Sequence, residues 1–178
     1  MSEQADIQRI RQDFPILAQK AANHCDLVYL DNAATTQKPQ CVIAAVNQYY
    51  TTSNANVHRA AHYLSDKATL SFEQARVTVK QFINARSDNE IIWTRGTTEA
   101  INLVASSWGE SNLQPDDVII LSELEHHANI VPWQLVAEKT GAIIKAVRLN
   151  DDFSLDMAHY RQLLSQSPAS LSGGQDRL

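Results

Sequence analysis

IIWTRGTTEAINLVA, residues 91 to 105, passes from a short apolar run into a helical pattern across one glycine. Ile91 to Thr94 reads as a strand, and from Thr97 to Trp108 apolar residues recur at helical spacing. Arg95-Gly96-Thr97-Thr98-Glu99 lies between them. Gly96 permits close backbone approach there, and helix N-terminal amides with two threonine hydroxyls can hold an anion, so a phosphate site is one reading. In the other reading, Thr97 only caps its helix.

The same alternation continues downstream. Val118 to Leu121 and Ile143 to Val147 are short apolar runs, followed by helical patterns over Ile130 to Lys139 and Leu155 to Leu164. Strands alternating with helices predict an α/β layered sheet. Upstream, Leu64, Ala68, Ala75, Val79 and Phe82 recur at intervals of four and seven, which predicts one long helix from His62 to about Ile83 with one buried face. Val28 to Leu30 reads as a strand entering the Asp31-Asn32 turn, and Pro39 opens a helix to about Tyr50 that Ser53 to Asn56 breaks. Ile7, Ile10 and Phe14 form a short amphipathic arm stopped by Pro15. Ser167 to Leu178 has little to bury and is expected to be disordered.

The chain has 178 residues, 44% hydrophobic and 20% charged, enough for one domain with a core. A net charge of -5 offers no attraction to nucleic acid or to an anionic membrane. The charged start lacks the apolar segment of a signal peptide, and no apolar run approaches the ~20 residues of a membrane span. A cytoplasmic protein is expected. Cys25 and Cys41 lack CxxC spacing, so neither a disulfide framework nor a cysteine zinc site is expected.

In Glu125-His126-His127 at most one imidazole should face a given site, where it can stack on an aromatic cofactor. Zinc is a competing reading here and at the His58/His62 pair, but the HExxH pattern is not met and no cysteine is near. Glu123 and Glu125 read as solvated surface acids rather than a catalytic pair. Cys41, among Val42, Ala44, Ala45 and Val46, reads as a small buried residue, whereas Cys25 reads as more exposed.

LDNAATTQKP (Leu30 to Pro39), NANVHR (Asn54 to Arg59), RGTTEAINLVA (Arg95 to Ala105) and EHHANIVPW (Glu125 to Trp133), taken in order, resemble the first part of the Suf-type (group II) cysteine desulfurases. These belong to the class V aminotransferase family of fold-type I pyridoxal-phosphate enzymes. The resemblance runs from about Phe14 to about Gln166. It implies the N-terminal portion of that family's large domain, a mixed sheet with helices on both faces, here incomplete. Residues 1–26 would be a helical arm contributing to the small domain, 27–166 a partial cofactor-binding domain, and 167–178 a tail foreign to the family.

By resemblance, Thr97 and Thr98 bind the phosphate of pyridoxal 5'-phosphate and His126 stacks on its ring. Asn32, Ala33 and Ala34 match a loop beside the substrate pocket, and His58 with Arg59 match a segment near the dimer interface. The implied reaction converts L-cysteine to L-alanine and leaves sulfur as an enzyme persulfide for an acceptor protein, in a homodimer. The Schiff-base lysine, the carboxylate facing the pyridine nitrogen and the nucleophilic cysteine lie, in the family, beyond Leu178. The six lysines of this chain match none of those motifs. After Gln166 the sequence departs from the family abruptly, as a frameshift or interrupted gene would. The chain alone is therefore expected to be inactive. Two alternatives are a noncatalytic protein that pairs with an intact desulfurase subunit through the His58 region, and a fragment of a selenocysteine lyase.

Overall fold

The computed structural model describes residues 3–22, 24–58 and 61–166. Arg59 and the expected tail at 167–178 lie outside the described residues. The chain divides into two units, Met1–Ile91 and Ile92–Leu178.

In the first unit, α1 (Glu3–Gln12) ends before Pro15, which opens a single 3-10 turn, Pro15–Ala18. The Arg11 guanidinium donates to the carbonyls of Leu17 (3.0 Å) and Leu27 (2.6 Å) and so folds the arm back on the following loop. Helix α2 (Gln40–Thr52) starts after Pro39, where a missing N–H costs nothing, and its first amide donates to the Asp13 carbonyl at 2.7 Å. Helix α3 (Tyr63–Phe82) matches the expected long helix closely. His62 caps it, with Nδ1 accepting the Ser65 amide at 3.3 Å. Ser65, only 1% exposed, donates its hydroxyl to the Asn56 carbonyl at 2.7 Å and so anchors the loop entering α3.

The second unit begins with α4 (Thr97–Val104), which continues without a break through a π-helical turn, Ala105–Gly109, into α5 (Glu110–Asn112). Strands β1 (Val118–Ser122) and β2 (Ile143–Val147) pair in parallel with Val118 opposite Ile143. Helix α6 (Val131–Thr140) connects them, as parallel pairing requires, and α7 (Met157–Gln166) follows β2. Both α6 and α7 pack on β2, around Ala105, Val136, Val147 and Leu163. Gly141 ends α6 at φ 80°, and a β-carbon there would lie 3.2 Å from Pro115, so any other residue is strained and crowded at this position.

Several expectations require correction. Residues 28–30 and 91–94 are not strands; among the described residues the sheet has two members, and a run becomes a strand only when a neighbour completes its ladder. Leu30 is 90% exposed. The stripe expected to be buried on α3 is not a core face either. Ala68 is buried, but Leu64, Ala75 and Phe82 are exposed, the last to 89%. Helix α2 buries none of its residues, so Cys41 is exposed, as Cys25 is.

Candidate active site

A helix leaves its first amides without helical partners, and a capping side chain usually takes one of them. At α4 none does. The N-cap is Gly96, and no side chain accepts from the first turn, so Thr97 is the first helical residue rather than a cap. The first backbone bond back to the cap comes from Ala100, whose amide donates to the Gly96 carbonyl at 3.1 Å. A β-carbon at Gly96 would meet nothing within 4 Å, so the approach to these amides is open. Free amides, the positive end of the helix dipole and two hydroxyls suit a phosphate group.

Glu99 also sits in this first turn, where its charge would oppose an anion. Its carboxylate accepts the Arg95 backbone amide at 2.6 Å and the guanidinium at 3.2 Å through both Nε and Nη2. Those hydrogen bonds from Arg95 hold the Glu99 carboxyl below the usual glutamate range and leave an ion pair rather than a bare charge beside the helix end.

The turn bearing His126 packs against α4. His126 caps a short 3-10 turn, His127–Asn129, through Nδ1, which accepts the Ala128 amide at 3.1 Å. In the neutral ring the proton is therefore on Nε2. The ring is exposed and meets His127 edge-on, with centroids 5.9 Å apart and planes at 89°. Rings at right angles cannot both stack on one aromatic group. The residues do not stand at a strand end as expected, since β1 stops at Ser122.

A hydrogen-bonded chain holds this turn. Ser122 Oγ donates to Glu125 Oε1 (2.8 Å), Asn129 Nδ2 to Glu125 Oε2 (2.8 Å), and Trp133 Nε1 to Asn129 Oδ1 (2.9 Å). Glu125 is therefore not the solvated acid the sequence suggested. The bond from Asn129, then that from Ser122, holds its carboxyl below the usual range. Glu123 is exposed, with its carboxylate accepting the Leu149 amide at 3.3 Å. Ser122, Asn129 and Trp133 were missed from sequence, though the spacings Ser-x-x-Glu and Glu-x-x-x-Asn-x-x-x-Trp put these side chains within reach of each other.

The remaining expected site residues belong to the first unit. Asn32, Ala33 and Ala34 form an exposed turn, held by the Tyr29 hydroxyl, which donates to the Thr35 carbonyl at 2.6 Å. Asn32 lines a cavity of about 330 Å³ with Ile7, Phe14 and Tyr29. His58 adopts φ 62°, a conformation histidine tolerates better than most residues, and its Nε2 lies 2.8 Å from Glu73 Oε1 on α3. His62 is engaged separately as the α3 cap.

Residues 28–173 match the class-V aminotransferase family. The chain belongs to that family. The match runs past Gln166, where the motif-based resemblance was placed to end. Among class-V relatives, a probable cysteine desulfurase from Synechocystis is 56% identical over 88% of this chain and 37% of its own length. A probable cysteine desulfurase from Vibrio cholerae is 55% identical over 90% of this chain and 39% of its own. The crystal structure of an Escherichia coli cysteine desulfurase superposes with a TM-score of 0.68 at 43% identity, covering 88% of this chain and 38% of that one. The chain thus spans about two-fifths of the relatives it matches, and its fold is shared, at a TM-score of 0.60 and 22% identity, with a solved enzyme whose pyridoxal-phosphate cofactor is covalently linked to glycine. No described helix is long and apolar enough to cross a membrane.

Proposed function

We propose that this chain carries the phosphate-binding and ring-facing half of a cysteine desulfurase site, with Thr97 and Thr98 holding the phosphate of pyridoxal 5'-phosphate and His126 covering one ring face. The observation that carries the reading is the uncapped N-terminus of α4, packed beside the turn that fixes the His126 ring. When bound, the cofactor supplies an electron sink for breaking bonds at the substrate α-carbon. The chain supplies binding and orientation. Amides of the first α4 turn and the threonine hydroxyls take the phosphate oxygens, and the Nδ1 bond to Ala128 keeps the His126 ring in one plane with its proton on Nε2.

In the complete protein the substrate is L-cysteine, the products are L-alanine and a persulfide passed to an acceptor protein, and the working state is a homodimer with His58 and Arg59 near its interface. Asn32, Ala33 and Ala34 stand beside the substrate. No lysine here stands in a segment that matches the family's Schiff-base motif, so these 178 residues alone are proposed not to turn over cysteine. Of the lysines in the second unit, Lys139 is paired with Glu110 at 2.7 Å and Lys145 lies within β2, opposite Ile120.

Equilibrium dialysis against pyridoxal phosphate tests the binding half. Weak saturable retention is expected, lost in Thr97→Val/Thr98→Val and reduced in His126→Ala, with no alanine formed from cysteine. Retention unchanged in all variants, or alanine production by the chain alone, would contradict the reading.

A second reading, a noncatalytic partner for an intact desulfurase subunit, draws on the exposed apolar residues Ile43, Val46 and Tyr50 of α2 and Phe82 of α3. Co-purification with a full-length subunit would support it.

A further inference from the structure

The reading of His126 as the ring-facing residue raises the question of what keeps its imidazole oriented. An exposed histidine on a loop has two broad χ angles and two neutral tautomers, so one hydrogen bond from Ala128 is a weak constraint if the turn itself can rearrange. The turn is clasped from both ends. Glu125, the residue before His126, spreads its two carboxylate oxygens between Ser122 at the end of β1 and Asn129 at the end of the 3-10 turn, both at 2.8 Å. The Asn129 amide in turn donates to the His126 carbonyl at 2.7 Å.

The far end of the clasp is rigid. The Trp133 indole that donates to Asn129 Oδ1 lies against Gly109, where a β-carbon would be 3.4 Å from the ring, and Val136 beside it is 2% exposed. Gly109 belongs to the π-helical continuation of α4, so one chain of contacts connects the phosphate helix, Trp133, Asn129 and Glu125 to the His126 turn.

The geometry points to Glu125 and Asn129 as positioning residues that lock the orientation and tautomer of His126 for stacking on the cofactor. Neither touches the cofactor in this reading. The roles are set by hydrogen-bond polarity: Glu125 accepts twice, and Asn129 donates to Glu125 while accepting from Trp133. Glu125→Gln can keep both neighbours by turning its amide, its oxygen accepting from Asn129 and its N–H donating to Ser122 Oγ, whereas Asn129→Asp sets a second carboxylate against Glu125 and that bond is lost. Combining Asn129→Asp with Glu125→Gln makes the bond in reverse: the amide at 125 donates to the carboxylate at 129, whose second oxygen still accepts from Trp133, and Ser122 keeps its acceptor.

This inference rests on the proposed function, so the test separates the two. The full chain labelled with 15N-histidine is observed by NMR as wild type, Glu125→Gln, Asn129→Asp and the double variant. In the wild type His126 shows one fixed tautomer, protonated on Nε2. Asn129→Asp averages the two tautomers, Glu125→Gln keeps one, and the double variant restores one. His159, whose Nδ1 accepts the Arg148 amide at 3.2 Å, serves as internal control and stays unchanged. Pyridoxal phosphate affinity falls about 3–10-fold in Asn129→Asp, the loss expected for one net hydrogen bond, and recovers in the double. A fixed His126 tautomer in Asn129→Asp, a double variant no better than Asn129→Asp, or an equal disturbance of His159 would overturn the positioning role. Failure of pyridoxal phosphate to perturb wild-type His126 would instead count against the proposed function, leaving the tautomer result to decide the clasp.

Discussion

The Glu99 carboxylate closes on Arg95 three times, taking the backbone amide at 2.6 Å and two guanidinium nitrogens at 3.2 Å, directly beside the open end of α4. An acid that would repel phosphate is thereby tied to a base. Glu99→Gln keeps an oxygen for the Arg95 amide but removes the negative charge. Phosphate affinity should rise about 3-fold at low salt, a gain that shrinks as ionic strength increases because both groups are exposed. Isothermal titration with inorganic phosphate at two salt concentrations measures this.

Protonating Glu125 removes the charge that its bonds from Asn129 and Ser122 favour and puts a proton on one of the two accepting oxygens. Its carboxyl titrates below the ordinary glutamate value in the folded chain, so the stabilisation it provides is fully present above that ordinary value and is lost as pH falls through the lower folded-state value. Denaturant midpoints measured from neutral to acid pH should converge for wild type and Glu125→Gln at the acid end. A constant difference at all pH values would show that the carboxylate charge is not what Asn129 reads.

Gly141→Ala forces an L side chain into φ 80° and sets its β-carbon 3.2 Å from Pro115. The left-handed conformation alone costs about 1–2 kcal/mol. The loss should appear as a lowered denaturant midpoint with an unchanged slope.

Asn129→Ala leaves the Glu125 carboxylate and the Trp133 indole N–H without the partner they share. A cost of about 1–3 kcal/mol is expected, measurable by thermal unfolding, and larger than for Asn89→Ala, whose exposed side chain makes no comparable link.

Much of the helical frame was legible in the sequence because it depends on neighbours close in the chain. The period of α3 and Pro39 before α2 both act within a few residues. The misread elements depend on partners remote in sequence. Val28 to Leu30 and Ile91 to Thr94 have strand composition, but a ladder needs another strand beside it. The α3 stripe has the right period, yet burial of Phe82 requires a surface to pack against. Within the site, Gly96 and the two threonines were visible as a loop-to-helix junction. The clasp around His126 was not, because its spacing resembles ordinary surface polarity until the fold bends Ser122, Glu125 and Asn129 together.

The central claim is that the first turn of α4 and the His126 ring form the phosphate and ring contacts of one cofactor site. Backbone amide and histidine ring signals followed by NMR, during titration first with inorganic phosphate and then with pyridoxal phosphate, test it most directly. Phosphate should shift the amides of Thr97, Thr98 and Glu99 and leave His126 unmoved, whereas pyridoxal phosphate should shift all four saturably and together. Pyridoxal phosphate binding that moves neither the α4 amides nor His126 would contradict the account.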